Sequence, residues 1–234
     1  MELMDTLEAG APPAESPSAV MDRAAEEAPE ARLALAHACV VRSAIPSGRI
    51  ERIDPLGSFA VEGVLAVLTH ENAPRLHWPA HPPPPCGFRD QWLPLQDNRI
   101  HFRGQCVAVV IAESAAAAHE AAGKLQVHCR PDVYDFAAQD RTYRSLYLNY
   151  DPLEARVTVA DWGRDGLVLR EAAPWVPELR TAVAMATGWP EKKVSVVPLP
   201  GADEPDGPGH FAWPHSVLAA MASRQVERPV RLLA

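Results

Sequence analysis

Residues 100–129 constrain the fold of this chain more than any other stretch, because they read as strand, helix, strand. Cys106–Ala112 is rich in valine and isoleucine, which is typical of a strand buried on both faces. Ser114 can cap the helix that follows, alanines favour that helix, and Gly123 is expected to end it at positive φ. Leu125–Cys129 is extended again. Because the helix carries small side chains, it can lie close against a sheet.

Short strands and helices are predicted on both sides of this unit, and several glycine and proline turns separate them. The further predicted strands are Leu33–Arg42, Arg49–Asp54, Val64–Thr69, Val157–Ala160, Leu167–Arg170, Val194–Val197 and Val230–Leu233. The further predicted helical segments are Pro55–Phe59, Pro177–Gly188 and Trp213–Gln225.

The net charge of −8 is concentrated at the amino terminus. Residues 1–30 hold eight acidic side chains and one arginine, so the rest of the chain carries only −1. Few large apolar residues accompany these acids, and residues 1–30 are therefore predicted to be a disordered acidic tail. The nearly neutral remainder has no basic stripe, so it gives no reason to expect nucleic acid or an anionic membrane as a partner.

The apolar stretches predict neither a membrane span nor a secretion signal. None approaches the roughly 18 to 20 residues that a spanning helix needs, and the amino terminus lacks a basic region followed by an apolar one. A cytoplasmic protein is therefore expected. The four cysteines show no C-x-x-C spacing and three lie in apolar runs, which favours buried, reduced thiols over disulfides or an iron–sulfur site.

Residues 74–94 are rich in proline and large side chains, and they are predicted to form a long surface loop. Aromatic loops of this length usually bind or cover something, and another polypeptide chain is the favoured partner. Within the loop, His77, His81 and Cys86 have a spacing that a metal could use. Because no fourth ligand accompanies them, ordinary surface residues are the favoured interpretation, and no metal ligand is assigned.

Several short motifs follow one another in a fixed order after Leu35. They are Arg42-Ser43, Gly48-Arg49-Ile50, Ile53-Asp54, Gly63–Thr69, Arg103-Gly104-Gln105, Val107–Val110, Asp151–Glu154, Thr158–Trp162, Gly188–Val194 and Arg228–Arg231. Together they resemble the molybdenum-binding subunit of the xanthine dehydrogenase and aldehyde oxidase family. The resemblance implies an α+β fold, with an α/β hammerhead domain followed by a partial α+β molybdopterin-binding-type domain. The implied division is a tail at 1–30, a hammerhead-like domain at 31–136, a linker at 137–150 and the partial domain at 151–234.

Two departures concern the residues beside the family's cofactor. Pro174 stands where the family has a glutamine that contacts the molybdenum centre. Residues 201–207 stand where it has a glycine-rich loop, and their three carboxylates would repel the anionic phosphate of the pterin. The resemblance leaves Gly104, Gln105 and Gly201 as cofactor-binding candidates, although Gly104 and Gln105 serve equally well as a structural turn. The family's catalytic glutamate falls beyond Ala234, so no catalytic residue is assigned.

The other polar candidates have a plain structural interpretation. Glu154 lies in a family segment whose histidine is replaced by Tyr150, which favours a structural hydrogen bond over acid–base catalysis. His210 and His215 flank the start of the last predicted helix, where packing and solvent exposure are expected. No G-x-S-x-G, Walker loop or G-x-G-x-x-G is present, so hydrolase and nucleotide-binding functions have no support.

The resemblance implies a shortened or split subunit of a molybdenum hydroxylase that oxidises aldehydes or N-heterocycles. Molybdopterin would be the cofactor, and this chain alone would not bind it. Other chains would supply the cofactor and the base, either an iron–sulfur or FAD subunit or the remaining molybdenum-binding chain. Two alternatives stay open: a non-catalytic assembly module that keeps the hammerhead scaffold, and a truncated, decaying gene product.

Overall fold

The computed structural model describes residues 35–77, 93–133, 157–171, 173, 176–199 and 214–233. The strands are β1 Ala36–Arg42, β2 Gly48–Asp54, β3 Val64–Thr69, β4 Arg99–Ile100, β5 Cys106–Ala112, β6 Gln126–Pro131, β7 Val157–Trp162, β8 Leu167–Glu171, β9 Val194–Pro198 and β10 Val230–Leu233. The helices are α1 Leu56–Phe59, α2 Ala115–Lys124, α3 Val176–Thr187 and α4 Pro214–Val226, with a 3₁₀ turn at Glu191–Lys193. Every strand and helix listed from the sequence above is confirmed, with ends shifted by a few residues. Among the strands of the described residues, the two-residue β4 alone was not predicted, because it is too short to show a period.

Seven strands form one mixed sheet in the order β3-β5-β1-β10-β7-β8-β9. β1 is antiparallel to β5 and parallel to β10, so the last described strand lies between two earlier ones. Strands from residues 31–136 and from residues 151–234 therefore share a sheet. An α+β architecture is confirmed, while the division into domains stays a prediction.

The main core lies between this sheet and helices α3 and α4. Along β8 every second side chain faces the core, and Leu167 and Leu169 are 0% exposed. In α4 nine consecutive residues, 215–223, are buried. That helix is therefore enclosed on all sides, and removing large side chains from this region would leave cavities.

Helix α2 covers the opposite face of the sheet, over β5 and β1. Ser114 caps it as predicted, since the Ser114 hydroxyl accepts a hydrogen bond from the backbone N–H of Ala117 at 3.1 Å. The prediction for Gly123 was wrong. The helix runs on through Lys124 and leaves through the extended Leu125, so its end needs no left-handed residue. Gly188, by contrast, follows α3 with φ +71°, as a helix-ending glycine does.

A second sheet, in the order β4-β2-β6, packs Ile50 and Ile100 against Val107 of β5. Within the described part of the chain, no helix is long and apolar enough to cross a membrane. Cys39, Cys106 and Cys129 are free thiols on strands, as predicted, although each residue is only partly buried. The fourth, Cys86, lies outside the described residues.

Candidate functional site

The carboxyl ends of β8 and β9 lie side by side at one edge of the large sheet. The two strands are parallel, and Glu171 stands opposite Pro198 in register. The chain leaves this edge after each of them, and α4 begins there with Pro214. Crevices beyond the carboxyl ends of parallel strands are common ligand sites, so this edge is the candidate functional site.

Four buried polar side chains meet at this edge, and we call them the Glu171 cluster: Thr158, Glu171, His215 and Ser216. The hydroxyls of Thr158 and Ser216 donate to Oε2 of Glu171 at 3.0 and 2.7 Å. Nε2 of His215 lies 3.2 Å from Oε1 of the same carboxylate. All four residues are buried, with Glu171 5% and His215 7% exposed.

Helix α4 adds to the stabilisation of this carboxylate. His215 and Ser216 lie in the first turn of the helix, where the backbone dipoles favour negative charge. A buried carboxylate with three polar partners is stable, whereas the same group without them would be costly to bury. The cluster therefore joins β7, β8 and α4 through a single side chain.

The geometry of the cluster does not support nucleophilic catalysis. The Ser216 hydroxyl donates to Glu171, whereas a nucleophilic serine would be hydrogen-bonded to the histidine base. The four side chains instead hold β7, β8 and the start of α4 together.

The sequence did not identify this cluster. His215 was expected to pack near a helix start with solvent exposure, but it is buried beside Glu171. Glu171 was not singled out at all. A signal existed, because Glu171 continues the alternation of Leu167 and Leu169 and so places a carboxylate on the buried face of β8.

The predicted candidates Gly104 and Gln105 form a turn just before β5. Gly104 has φ +90°, and its N–H donates to the carbonyl oxygen of Ser43 at 2.9 Å. The Gln105 side chain accepts from the N–H of His101 and donates to the carbonyl oxygen of Arg99, both at 2.7 Å. Both ends of that amide are thus bonded to nearby backbone. Whether the pair also contacts a cofactor stays a prediction.

The Gly104-Gln105 turn and the Glu171 cluster lie at the same end of the strands of the large sheet, but they are far apart across the sheet. Four strand steps separate β5 from β8 in the sheet order. At about 4.8 Å a step, the two are on the order of 19 Å apart across the sheet. The third candidate, Gly201, lies outside the described residues, as do Pro174, Glu154, His81, Cys86 and His210.

The thiols of the described strands are not poised for metal binding or nucleophilic attack. Burial raises the pKa of Cys106 to about 12, and burial also raises the pKa of Cys39 and of Cys129. Neutral thiols are poor ligands and poor nucleophiles. Across the ranges that the structure describes, no three His, Cys, Asp or Glu side chains are grouped as a metal site.

Known proteins resemble this chain in sequence and in fold. Residues 27–132 match the family described as "Aldehyde oxidase and xanthine dehydrogenase, a/b hammerhead domain". The aldehyde oxidoreductase molybdenum-binding subunit PaoC of Escherichia coli K12 is 28% identical over 240 residues, covering 89% of this chain and 31% of the relative. The carbon monoxide dehydrogenase large chain of Hydrogenophaga pseudoflava is 28% identical over 259 residues, covering 83% of this chain and 31% of the relative.

Solved structures share this fold. The CO dehydrogenase from Oligotropha carboxidovorans superposes with a TM-score of 0.65 at 21% identity, over 86% of this chain and 32% of that one. The chain thus spans about 31% of the length of its curated relatives. Residues 27–132 thus match the hammerhead domain of the aldehyde oxidase and xanthine dehydrogenase family, and the chain as a whole is similar to part of a molybdenum-binding subunit.

Proposed function

We propose that this chain supplies the hammerhead domain and the adjoining sheet of a molybdenum hydroxylase that oxidises aldehydes or N-heterocycles. The carrying observation is the similarity to two molybdenum hydroxylase subunits along 83% and 89% of this chain, although the chain spans 31% of each. Further polypeptide provides the cofactor pocket and the catalytic base. We also propose a cytoplasmic location.

The described residues do not fit the anionic phosphate of a molybdopterin at the edge where α4 begins. The amino terminus of a 13-residue helix such as α4 would ordinarily attract an anion. Here the carboxylate of Glu171 already lies against the first turn, bonded to Ser216 and beside His215. A second negative charge at that position would be repelled at short range. We therefore assign no step of catalysis to this chain.

The proposed partners are an iron–sulfur subunit, an FAD subunit and the remaining molybdenum-binding polypeptide. That last part could be a continuation of the same chain or a separate one. The proline-rich stretch at 74–94 is proposed to contact such a partner, because its aromatic side chains suit a protein interface.

A non-catalytic assembly module is the second candidate function. It is favoured because the candidate polar side chains are hydrogen-bonded to other groups of the same chain. The Gln105 amide bonds to the backbone of Arg99 and His101, and the Glu171 carboxylate accepts from Ser216. Such groups stabilise a scaffold without needing a ligand.

The decisive experiment is purification of the full chain from its native source through an affinity tag, followed by molybdenum and pterin quantification. Both found only in a complex with further subunits would support the hydroxylase. A stable complex that lacks both would support the assembly module. Stoichiometric molybdenum and pterin bound to the lone recombinant chain would overturn the proposed division of labour.

A further inference from the structure

Three arginines stand side by side across the small β4-β2-β6 sheet. In the antiparallel registers, Arg49 of β2 lies opposite Arg99 of β4 on one side and opposite Arg130 of β6 on the other. Residues directly opposite each other in a sheet point to the same face, so the three side chains form one row, which we call the arginine row. Because adjacent strands are about 4.8 Å apart, the three side chains leave the sheet within about 10 Å of one another.

The arginine row lies on the outer face of this sheet. Ile50 and Ile100, the next residues along β2 and β4, point the other way and pack in the core beneath the sheet. Arg49 is exposed, and the side chains of Arg99 and Arg130 are 42% and 68% exposed. A partner can therefore reach all three guanidinium groups.

The positive charges of the row are only loosely balanced by the described residues. The central arginine donates through Nη1 to a neutral group, Oδ1 of Asn98, at 3.2 Å. Its two neighbours lie near carboxylates, with Arg99 Nη2 3.9 Å from Asp132 Oδ2 and Arg130 Nε 3.5 Å from Glu51 Oε1. Exposed ion pairs contribute little, whereas like charges directly opposite each other destabilise a sheet. The row thus costs the isolated chain stability, which is typical of a surface that serves binding.

We propose that the arginine row is a docking surface for another polypeptide that presents a cluster of carboxylates. Guanidinium groups bind carboxylates in bidentate geometry, and a carboxylate that reaches Arg49 would lie between two further guanidinium groups. Complementary charge also guides association and fixes the orientation of the partner. The proposal needs no molybdenum or pterin, so it succeeds or fails independently of the proposed function.

Apolar side chains near the row favour a protein over a free anion or a nucleic acid. Phe102 and Val133 follow β4 and β6 at the end of the sheet where β2 begins, and they are 49% and 95% exposed. Arginine and aromatic side chains are both enriched in protein interfaces. Glu51 and Asp132, interspersed with the arginines, would repel the continuous negative charge of a nucleic acid. The occupant that fits is therefore an acidic segment of a protein.

The first test is zero-length cross-linking in the complex purified from the native source through a tag on the full chain. Arg49→Lys places an amine in the arginine row, and a carbodiimide joins that amine to a carboxylate in contact with it. We expect mass spectrometry to find residue 49 joined to an aspartate or glutamate of another polypeptide. Cross-links only to this chain's own acidic residues 1–30, or only to Glu51 and Asp132, would overturn the proposal. So would the absence of any cross-link.

Arg180→Lys is the matched control for this experiment. Arg180 lies on α3, its side chain is 44% exposed, and its Nη2 is 3.0 Å from Oε1 of Glu191. The amine introduced at this position should cross-link within the chain, to Glu191. Equal cross-linking of positions 49 and 180 to the other polypeptide would show contact without regard to the row and would overturn the proposal.

Charge reversal then measures how much the row contributes to binding. Arg49→Glu should lower the affinity of the full chain for the polypeptide identified by cross-linking at least about tenfold, whereas Arg180→Glu should change it by less than about twofold. The melting temperature of the isolated chain should not fall in Arg49→Glu, because an opposite charge then stands between Arg99 and Arg130. A lower melting temperature would assign the row a structural role, and equal affinities of the two variants would leave it without a role in docking. Either result would overturn the proposal.

Discussion

The side-chain amide of Gln105 bridges two backbone groups of the segment before it, donating to the carbonyl oxygen of Arg99 and accepting from the N–H of His101, both at 2.7 Å. A glutamine side chain thus holds β4 beside the turn that leads into β5. Gln105 is partly buried, so neither backbone group can fully exchange this partner for water.

Replacing Gln105 by alanine should destabilise the protein by about 1–3 kcal/mol, because two backbone groups lose their hydrogen bonds. Urea unfolding followed by circular dichroism measures the change. Gln126→Ala is the control, since Gln126 is exposed at the start of β6 and should change stability by less than about 0.5 kcal/mol. Equal effects of the two substitutions would contradict the bridging role.

Gly188→Ala and Gly123→Ala should shift stability in opposite directions. Gly188 has φ +71°, and a β carbon there would stand 2.7 Å from Cδ2 of His77, so alanine should cost about 1–3 kcal/mol. Gly123 lies inside α2 with open space around it, so alanine should stabilise the protein by about 0.4–1 kcal/mol. Thermal unfolding of both variants tests the pair. A destabilising Gly123→Ala would restore the rejected prediction that Gly123 ends the helix at positive φ.

Cys106 should resist alkylation in the folded protein. Burial raises its pKa from 9.0 to about 12, so the reactive thiolate is scarce at ordinary pH. At about pH 8, iodoacetamide should modify Cys106 roughly 100-fold more slowly in the folded chain than in urea. Mass spectrometry of the peptide that contains Cys106 measures both rates. Similar rates would show that the thiol is accessible and ionised in the folded state.

The raised pKa of Cys106 also predicts how the stability of the protein changes at alkaline pH. The folded thiol holds its proton more tightly than the unfolded one, so its contribution is fully present below pH 9.0 and is lost as the pH rises towards 12. Urea unfolding across that window should show a smaller loss of stability for Cys106→Ala than for wild type. Identical slopes would mean that Cys106 ionises similarly in both states.

The fragments 31–136 and 151–234 should associate when expressed as separate chains. β1 pairs with β10 in parallel over Ala36–Cys39 and Val230–Leu233, and the N–H of Ala36 donates to the carbonyl oxygen of Pro229 at 2.8 Å. Each fragment alone exposes an apolar strand edge, which favours aggregation. Size-exclusion chromatography of the co-expressed and single fragments provides the test. A fragment 31–136 that is monomeric and as stable as the whole chain would contradict this expectation and would support an independent hammerhead unit.

Local patterns in the sequence determined the helices and strands and indicated a family resemblance. The apolar run Cys106–Ala112 specified a doubly buried strand, and Ser114 specified the start of α2, because both depend on neighbouring residues alone. Alternation of polar and apolar residues likewise predicted β2, whereas the two-residue β4 is too short to show an alternation. Ordered short motifs then pointed to the xanthine dehydrogenase and aldehyde oxidase family.

Only the tertiary structure decided the strand order and the Glu171 cluster. Nothing local to β10 tells it to lie between β1 and β7, because its pairing with β1 joins residues 194 positions apart (Ala36 and Val230) and its pairing with β7 joins residues at least 70 apart (Val230 and Ala160). Ser216 is also 45 residues from Glu171, and the hydrogen bond between the two exists only once α4 has packed against the sheet. Contacts of this kind depend on the assembled core, whereas propensity and period act over a few neighbouring residues.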